Sequence, residues 1–316
     1  LSPCLPNCNN GLSECARARI ARRCFPVIIR NVERKDVHSN ELSPQKQVNF
    51  GVIMKRKWGQ HFLVRERYVQ RMIGLVGVRA GDQVLEIGPG RGVLTRALLE
   101  IGAFVKAVEI DPSLQGFLQQ EFAGSSEFQL LCGDALALPI EELLPASQPA
   151  RIVANLPYNL ATAILFHLLP WREYWNSWTL MVQYEVAQRI CATAEGGKSF
   201  GTLSLAGSLG FERKLAFEVP PDAFAPPPKV NSAVVHLWPR KSGWSKEQEQ
   251  NFLEFVRRLF QQRRKTLIGN LRKQFPNWFQ QERESLGEQY LKLRPENLEF
   301  EDWRKLYEQF YEGGWT

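Results

Sequence analysis

The chain has 316 residues, of which 44% are hydrophobic and 23% are charged, as in an ordinary globular protein. It contains no run of about 18 or more apolar residues, so the sequence predicts no membrane-spanning helix. The formal net charge of +7 favours a polyanionic partner. The length is sufficient for two domains, or for one domain with a helical appendage.

Residues 1–53 differ in composition from the rest of the chain, and no methionine precedes Met54. We expect a disordered or non-native extension there. An organellar transit peptide is the alternative, which the few serines and several acidic residues disfavour. The cysteines of this segment lack the paired spacing of a zinc site, so no metal site is predicted. Cys132 and Cys191 lie in apolar surroundings and are expected to be buried.

From Gln83 onward, short apolar runs alternate with helical periodicity, which predicts a doubly wound α/β domain over residues 54–239. A helix is expected from about Gly92 to Ile101. A late hairpin over 210–219 and 230–238 is expected to close the sheet. The earlier strands are predicted at 84–87, 104–110, 128–132, 151–155 and 178–183.

Beyond Pro239 the pattern becomes helical, and residues 240–316 are predicted to form a small all-helical domain. Its apolar stripe at helical spacing consists of Phe252, Phe255, Val256, Leu259, Phe260, Leu267 and Leu271. Arg263 falls within this stripe, so we expect it to extend towards water or to line a groove. The opposite face is either a solvated surface or, if the catalytic domain acts on RNA, an RNA-binding face formed by Arg257, Arg258, Arg264, Lys265 and Arg272.

A glycine-rich turn, EIGPGRG, follows the first predicted strand. Its glycines, Gly88, Gly90 and Gly92, allow a sharp bend and a close approach to a ligand. The spacing G-x-G-x-G differs from that of dinucleotide sites. Glu86 at the strand end would repel a pyrophosphate, whereas it tolerates the sulfonium and ammonium cations of S-adenosylmethionine. The turn therefore favours this methyl donor over NAD.

Acidic residues also end the next two strands. Glu109 is placed to accept both hydrogens of a ribose diol, and Asp134 is placed to accept from the cofactor's adenine amino group. Taken singly, each could instead be a helix N-cap or a surface charge. Together with Glu86 they stand at the carboxyl ends of consecutive strands, where the crevice of an open α/β sheet binds its ligand.

The motif NLPY follows the fourth predicted strand. The side-chain oxygen of Asn155 and the carbonyl oxygen of Leu156 can accept the hydrogens of an adenine amine, which favours the tetrahedral geometry that methylation requires. Pro157 stiffens the turn, and Tyr158 offers a ring on which a base can stack. An ordinary asparagine turn with a packed tyrosine is the alternative.

A proline-rich segment, VPPDAFAPPPKV (219–230), cannot be a central strand. Phe224 in its middle is expected to be exposed, because its surroundings are those of a rigid loop. Opposite Tyr158, such a ring would hold an adenine that has swung out of its helix or loop.

With these motifs in hand, the sequence closely resembles the KsgA family of ribosomal RNA adenine dimethyltransferases, from about Lys55 to the C-terminal helices. The segments that carry the resemblance are KRKWGQHFL (55–63), EIGPGRG, NLPY, FAPPPKVNSAV (224–234) and LFQQRRKTL (259–267). Two positions depart from the family pattern: residue 61 is often asparagine and is histidine here, and Tyr184 stands where lysine is common.

The resemblance implies a seven-stranded Rossmann-like class I methyltransferase domain. It also implies dimethylation, at N6, of two neighbouring adenines in a hairpin loop near the 3′ end of small-subunit rRNA, late in ribosome assembly. Base stacking is expected from Tyr158 and Phe224. Cofactor contacts are expected at His61, Leu63, Gly88, Glu109, Asp134 and Asn155, in addition to Glu86 and Gly90 of the glycine-rich turn.

Two other functions fit the same motifs less well. A large-subunit rRNA methyltransferase of the erythromycin-resistance type usually carries isoleucine in place of Leu156. A non-enzymatic mitochondrial transcription or ribosome assembly factor has no need of intact Glu109, Asp134 and Asn155. We expect a monomer that acts on small-subunit rRNA or the assembling subunit, without metal or membrane. It is expected in the cytoplasm, or in an organelle matrix if residues 1–53 are a transit peptide.

Overall fold

A computed structural model describes residues 60–284, 286–287, 290 and 292–312. The extension predicted over 1–53 lies outside the described residues, as do residues 55–59 of the KRKWGQHFL motif. Within the described ranges, no helix is both long enough and apolar enough to cross a membrane.

Seven strands form one mixed sheet in the described part of the chain. Together with two short strands outside that sheet, the described residues form nine strands: β1 (Phe62–Leu63), β2 (Gln83–Ile87), β3 (Phe104–Glu109), β4 (Phe128–Cys132), β5 (Ala150–Asn155), β6 (Ser177–Gln183), β7 (Phe211–Val219), β8 (Phe224–Ala225) and β9 (Ser232–Pro239). The order in the large sheet is β4-β3-β2-β5-β6-β9-β7, with β2 to β6 parallel. The predicted seven-stranded Rossmann-like α/β class is therefore confirmed.

The late hairpin corresponds to β7 and β9, but it does not simply extend the sheet. Strand β9 pairs antiparallel with both β6 and β7, so the last strand is inserted and β7 lies at the edge. Strands β1 and β8 form a separate two-stranded antiparallel sheet. Neither arrangement was predicted, because hydrophobic alternation does not specify which strand is the neighbour.

Helices connect the strands and make up most of the chain after Pro239. They are α1 (Glu66–Val76), α2 (Val93–Glu100), α3 (Pro112–Glu121), α4 (Ile140–Leu143), α5 (Ala161–Leu168), α6 (Tyr184–Cys191), α7 (Thr202–Gly210), α8 (Lys246–Leu259), α9 (Leu267–Gln274), α10 (Pro276–Glu282) and α11 (Phe300–Glu312). Short 3-10 segments include Leu169–Tyr174 and Phe260–Gln262. The helix predicted over Gly92–Ile101 is α2.

Apolar side chains cover both faces of the sheet. Successive side chains of a strand point to opposite faces, so Ile152 belongs to one cluster of buried side chains and its neighbour Val153 belongs to the other. Burial on both faces explains why the parallel strands read as nearly continuous apolar runs. Their polar ends are left at the edge of the sheet, where a site can form.

The C-terminal helices pack into the cluster that contains Ile152. Helix α8 begins with a capping box, in which Ser245 Oγ accepts from Gln248 N at 3.2 Å and Gln248 Oε1 accepts from Ser245 N at 2.9 Å. The predicted apolar stripe is buried except for Phe260, which is half-buried against the same cluster. The sheet ends at Pro239, yet the cluster continues past that residue. Division into domains at 54–239 and 240–316 stays a prediction.

A buried ion pair joins the sheet domain to α8. Arg172, 2% exposed, donates through Nη1 to Glu249 Oε2 at 2.8 Å and through Nη2 to the other carboxylate oxygen. Its Nε donates to the Arg240 carbonyl at 3.1 Å, and Ser242 Oγ also donates to Glu249. Gly210 makes room for this pair, because a Cβ there would lie 3.0 Å from Arg172 Cδ.

The sequence expectations about three side chains differ in outcome, and the one for Cys132 is wrong. Cys132 is exposed, because it ends the edge strand β4, whereas Cys191 is half-buried. The Arg263 side chain is 39% exposed, so it extends in part towards water, as one of the two expectations had it. Its Nη2 donates to the Phe200 carbonyl at 2.7 Å and to the Glu296 carboxylate at 3.0 Å, so it fastens the turn after α8 to the sheet domain.

The Arg172–Glu249 pair is expected to dominate the stability of the junction. Arg172→Met leaves a buried carboxylate without its partner and should lower the free energy of unfolding by about 3 to 5 kcal/mol. Arg172→Met combined with Glu249→Met should recover most of the loss, since no charge is then buried. Urea unfolding measures both values. The control is Arg257→Met, which breaks an exposed bidentate pair with Glu254 and should cost less than about 1 kcal/mol. Equal losses for Arg172→Met and Arg257→Met would contradict the assignment.

Candidate active site

The candidate site lies at the carboxyl ends of the parallel strands. Gly88 and Gly90 of the turn after β2 have φ of +71° and +59°, which an L side chain rarely adopts. A Cβ on Gly88 would lie 3.9 Å from the Asn155 carbonyl oxygen and 4.0 Å from Pro157 Cδ. The glycine turn and the NLPY motif are therefore neighbours in space, although Gly88 and Asn155 are 67 residues apart in the sequence.

The small β1–β8 sheet covers the glycine turn. A Cβ on Gly90 would meet the Phe62 ring at 3.0 Å, and the Arg91 guanidinium lies 5.0 Å from the centre of that ring. Leu63, predicted from the family resemblance as a cofactor contact, is buried and pairs with Phe224. The segment at 60–63 thus forms one wall of the site.

The Glu109 carboxylate holds the glycine turn in position. It accepts from Gly90 N at 3.2 Å and from Asp111 N at 2.9 Å. Burial raises the pKa of this carboxyl, and the two hydrogen bonds oppose that effect. A carboxylate has about four acceptor positions, so Glu109 keeps acceptor capacity for hydroxyl groups.

The structure places Glu86 beneath the glycine turn, and its contact with the cofactor stays a prediction. The Glu86 side chain is 1% exposed and accepts from Thr95 Oγ1 on α2 at 2.6 Å. Burial raises the pKa of Glu86 to about 7, and the charge of Glu109 contributes to the increase. Glu86 therefore supports α2, the helix that follows the glycine turn. The sequence correctly predicted Glu86 near the end of the strand. The direction of its side chain is set by the pleat of the strand and was not predicted.

Asp134 lies after β4, as predicted, and is half-buried. One carboxylate oxygen accepts from Leu136 N at 2.9 Å, which shapes the turn, and the other has no donor among the described residues. His167 on α5 lies within electrostatic reach of Asp134. Burial lowers the pKa of this imidazole, and the charge of Asp134 opposes that change. His167 Nε2 is enclosed and has no hydrogen-bond partner among the described residues.

The NLPY turn presents two oxygens that accept from no donor in the described part of the chain. Asn155 Nδ2 donates to the His61 carbonyl at 3.2 Å. A carbonyl can only accept, so this bond orients the amide and directs Asn155 Oδ1 away from it. Leu156 N donates to the Met181 carbonyl at 3.0 Å, which holds the turn while the Leu156 carbonyl stays uncommitted.

Tyr158 is held by two contacts. Its hydroxyl exchanges a hydrogen bond of 2.6 Å with Ser232 Oγ on β9. Its ring stacks on the His61 imidazole, with centroids 5.4 Å apart and planes at 29°. His61 Nδ1 lies 2.8 Å from the Pro226 carbonyl and must carry the hydrogen there. His61 thus joins the NLPY turn to the proline-rich loop.

The expectation that Phe224 is an exposed ring is wrong. Its side chain is 3% exposed, because pairing of β8 with β1 places it in the apolar cluster of Val153. The ring stacked on Tyr158 is His61 instead. The exclusion of a central strand is confirmed, since Val219 only ends the edge strand β7, and of residues 220–230 only Phe224 and Ala225 form a strand, which pairs outside the main sheet.

The predicted basic face of the C-terminal helices divides into two groups. Arg257 is bound to Glu254, and Arg258 donates to the Gln274 carbonyl with its guanidinium 4.1 Å from the centre of the Phe275 ring. The other three, Arg264, Lys265 and Arg272, are exposed. Their charged groups form no hydrogen bond or ion pair with a described residue.

Comparisons with known proteins show the family of the chain. A model of the ribosomal RNA adenine dimethylase family matches residues 52–308. The chain belongs to this family. Ribosomal RNA small subunit methyltransferase A of Magnetococcus marinus is 41% identical over 73% of this chain and 84% of its own length. The protein of the same name from Pseudomonas fluorescens is 38% identical over 82% and 93%.

Solved structures share the fold of this rRNA adenine dimethylase. A dimethyladenosine transferase from Plasmodium falciparum has a TM-score of 0.65 at 24% identity and covers 80% of this chain and 98% of its own. A 23S rRNA methyltransferase, ErmE, has a TM-score of 0.56 at 24% identity and covers 78% and 98%. At such identities the likeness concerns the fold, which is that of a methyltransferase.

Three side chains of the dimethylase site were missed in the sequence. Thr95 and Ser232 position Glu86 and Tyr158, and single hydroxyl residues in a helix and a strand carry no pattern that predicts this. His167 lies in the apolar helix α5, where a lone histidine usually reads as core. Tyr184, which departs from the family pattern, is half-buried, and its backbone N donates to the Asn231 carbonyl at 2.9 Å.

The raised pKa of Glu86 predicts a specific pH dependence of stability. The folded protein binds this proton more tightly than the unfolded chain, so wild-type stability falls as the pH rises from 4.5 to about 7. The group alone should account for about 3 kcal/mol. Glu86→Gln stays neutral and can still accept from Thr95. The difference in unfolding free energy, variant minus wild type, should grow across this window and level off above it. A constant difference between pH 4.5 and 8 would refute the assignment.

Proposed function

We propose that this chain transfers methyl groups from S-adenosylmethionine to N6 of two adjacent adenines in the 3′-terminal hairpin loop of small-subunit rRNA. We further propose that it acts during subunit assembly. The names of the related methyltransferases support the substrate. The observation that carries the proposal is the pair of uncommitted acceptors, Asn155 Oδ1 and the Leu156 carbonyl, directly beside the glycine turn.

The residues present fit S-adenosylmethionine. Gly88 and Gly90 leave room for a ligand against the backbone, Glu109 retains acceptor capacity for a ribose diol, and Asp134 retains one free carboxylate oxygen for an amino group. When bound, the cofactor supplies an activated methyl group. Glu109, joined by Glu86 above its pKa of about 7, places negative charge beneath the turn, which favours a cationic ligand over a pyrophosphate. Leu63 and His61 belong to the wall of the same crevice.

The NLPY turn binds and orients the adenine that accepts the methyl group. Asn155 Oδ1 and the Leu156 carbonyl accept the two hydrogens of the adenine amine and orient its nitrogen lone pair out of the ring plane. Pro157 limits motion of the turn, and the bond from Asn155 to His61 holds the amide in the orientation that exposes Oδ1. Such prepositioned dipoles need no reorganisation during reaction, which is how they lower a barrier.

We expect the target base to stack on Tyr158, next to His61, whose ring is stacked on Tyr158 in this structure. The Ser232 hydroxyl fixes the plane of the tyrosine ring, and a target adenine stacks on it. Phe224 contributes by supporting β1 from the apolar side, and contacts a base only if the proline-rich loop moves. Monomeric state and a cytoplasmic or organellar location stay predictions.

The two alternatives are less well supported. Large-subunit methylation has the ErmE structure in its favour, but that likeness concerns the fold, whereas the curated relatives at 38% to 41% identity are small-subunit methyltransferases. A non-enzymatic factor needs no open amine acceptors.

Mapping methylated adenines in rRNA from cells with and without the protein decides between all three functions, and methylation changes confined to the large subunit would overturn the proposal.

Asn155→Ala removes one amine acceptor and should lower the rate of methyl transfer by about 100-fold or more. Cofactor binding, measured by calorimetry, should persist. The assay uses small subunits from cells that lack the protein. Asn155→Asp is the matched control, because it keeps an acceptor but loses the donor to His61, and should fall between the two. Wild-type turnover in Asn155→Ala would exclude the amine-orienting role.

Arg264→Glu and Lys265→Glu should each weaken binding to rRNA and reduce the slope of log affinity against log salt by about 1. Both side chains are exposed and unpaired with described residues, so their charge is available to a phosphate. Arg79→Glu, an exposed arginine before β2, carries the same charge change and is the control. Salt titrations of affinity measure the slopes. If all three variants shift equally, the effect reflects net charge rather than a binding face.

A further inference from the structure

A groove lies at the end of the β7–β9 ribbon, outside the candidate active site. Its cavity of about 450 Å³ is lined by residues that include Cys191, Arg213, Trp238 and Arg240. We call it the strand-end groove. Because β9 is antiparallel to β6, with Ser232 beside Gln183 and Leu237 beside Trp178, the groove lies at the amino ends of the parallel strands. The methylation site lies at the opposite edge.

The distance between the two sites follows from one strand. Ser232 bonds to Tyr158 in the active site, and Trp238 lies six residues further along β9. At about 3.3 Å per residue, the groove is about 20 Å from Tyr158. A ligand in the groove is therefore a different segment from the nucleotide that receives the methyl group.

Positive charge is concentrated at this end of the ribbon. The segments 211–214 and 238–241 together contain four cationic residues, Arg213, Lys214, Arg240 and Lys241, and one acidic residue, Glu212. No ion pair joins any of these five to another described residue. Burial lowers the pKa of the Arg213 guanidinium, the neighbouring Cys191 opposes that change, and the charge of Arg240 lowers the pKa to a smaller extent. An anion between the two guanidinium groups would relieve this repulsion.

The Arg213 side chain also links neighbouring elements of the fold beside the groove. Its Nη1 donates to the Ile190 carbonyl at 2.8 Å and the Ser204 carbonyl at 2.9 Å, which ties β7 to α6 and α7. Gly207 makes room for it, because a Cβ there would lie 2.9 Å from Arg213 Cδ. Nε and Nη2 have no partner among the described residues. The wall of the groove is thus rigid, while part of the guanidinium remains open.

An aromatic surface lies beside these cations. Trp238 is 38% exposed, and the ring of His236 packs edge-on against it at 4.3 Å. The register pairs Glu212 with Trp238 and Arg213 with Leu237, so the Trp238 and Arg213 side chains leave the ribbon on opposite faces, and both line the groove at its end. A groove lined by cationic groups and an accessible aromatic ring has the combination that binds single-stranded nucleic acid.

We propose that the strand-end groove binds a single-stranded segment of the substrate RNA, with a backbone phosphate at Arg213 and Arg240 and a base on Trp238. The inference rests on the proposed function, since the same RNA must reach both edges of the sheet. The strand-end groove is thus a second contact that a large RNA or an assembling subunit can make and an isolated hairpin cannot.

Affinity measurements with two RNAs test the groove. Trp238→Ala and Arg240→Glu should each lower affinity for intact small-subunit rRNA by about tenfold. Affinity for a short hairpin with only the methylated loop should not change. Arg283→Glu, exposed on the C-terminal side, is the control for charge. Thermal unfolding and cofactor binding verify that each variant is folded. Unchanged affinity of both groove variants for the long RNA would overturn the proposal.

Cysteine footprinting gives an independent readout that needs no substitution. Cys191 lines the groove, so intact rRNA should slow its alkylation, measured by mass spectrometry at this residue, whereas the short hairpin should not. Equal alkylation with and without the long RNA contradicts the proposal. If wild-type protein methylates small-subunit rRNA and the groove results are negative, only the groove fails. If no methylation occurs, the proposed function fails instead.

Discussion

The hydrogen bond from Asn155 to the His61 carbonyl joins segments that are 94 residues apart. Through it, the chain before α1 is held on the turn after β5, and the His61 ring extends the connection to the proline-rich loop. The bond also decides which way the amide faces, because a carbonyl cannot donate. The open acceptors of the site therefore depend on a backbone atom outside the Rossmann-like sheet.

Beneath this arrangement, the sheet buries two carboxylates at neighbouring strand ends. Glu109 is compensated by backbone donors of Gly90 in the glycine turn and of Asp111 after β3, so its burial directly shapes the glycine turn. Glu86 has a hydroxyl partner and a pKa of about 7, so it is less well compensated. Burying an acid at this point is unfavourable for folding, yet it places negative potential below a crevice suited to a cation. Stability and function are in opposition here, as they often are at binding sites.

Strand positions, the glycine turn and the NLPY motif could be predicted because each depends on a short stretch of sequence. Phe224 and Cys132 were placed correctly along the chain but at the wrong depth, since Phe224 is buried and Cys132 is exposed. Their exposure depends on strands elsewhere, because β1 covers Phe224 and β4 lies at the edge of the sheet formed by the described residues. The environment of Glu86 likewise depends on Thr95, in the next helix. The stacking of His61 on Tyr158 joins residues 97 positions apart and leaves no local signal.

The buried Arg172–Glu249 pair has a consequence for how this architecture can be divided. A chain cut after Pro239 would keep the arginine in an apolar wall and lose the carboxylate that neutralises it. The helical part is consequently not an interchangeable module that can be removed or exchanged between homologues by joining fragments at the end of the sheet. A viable chimaera has to bring both halves of the pair from the same parent, or replace both.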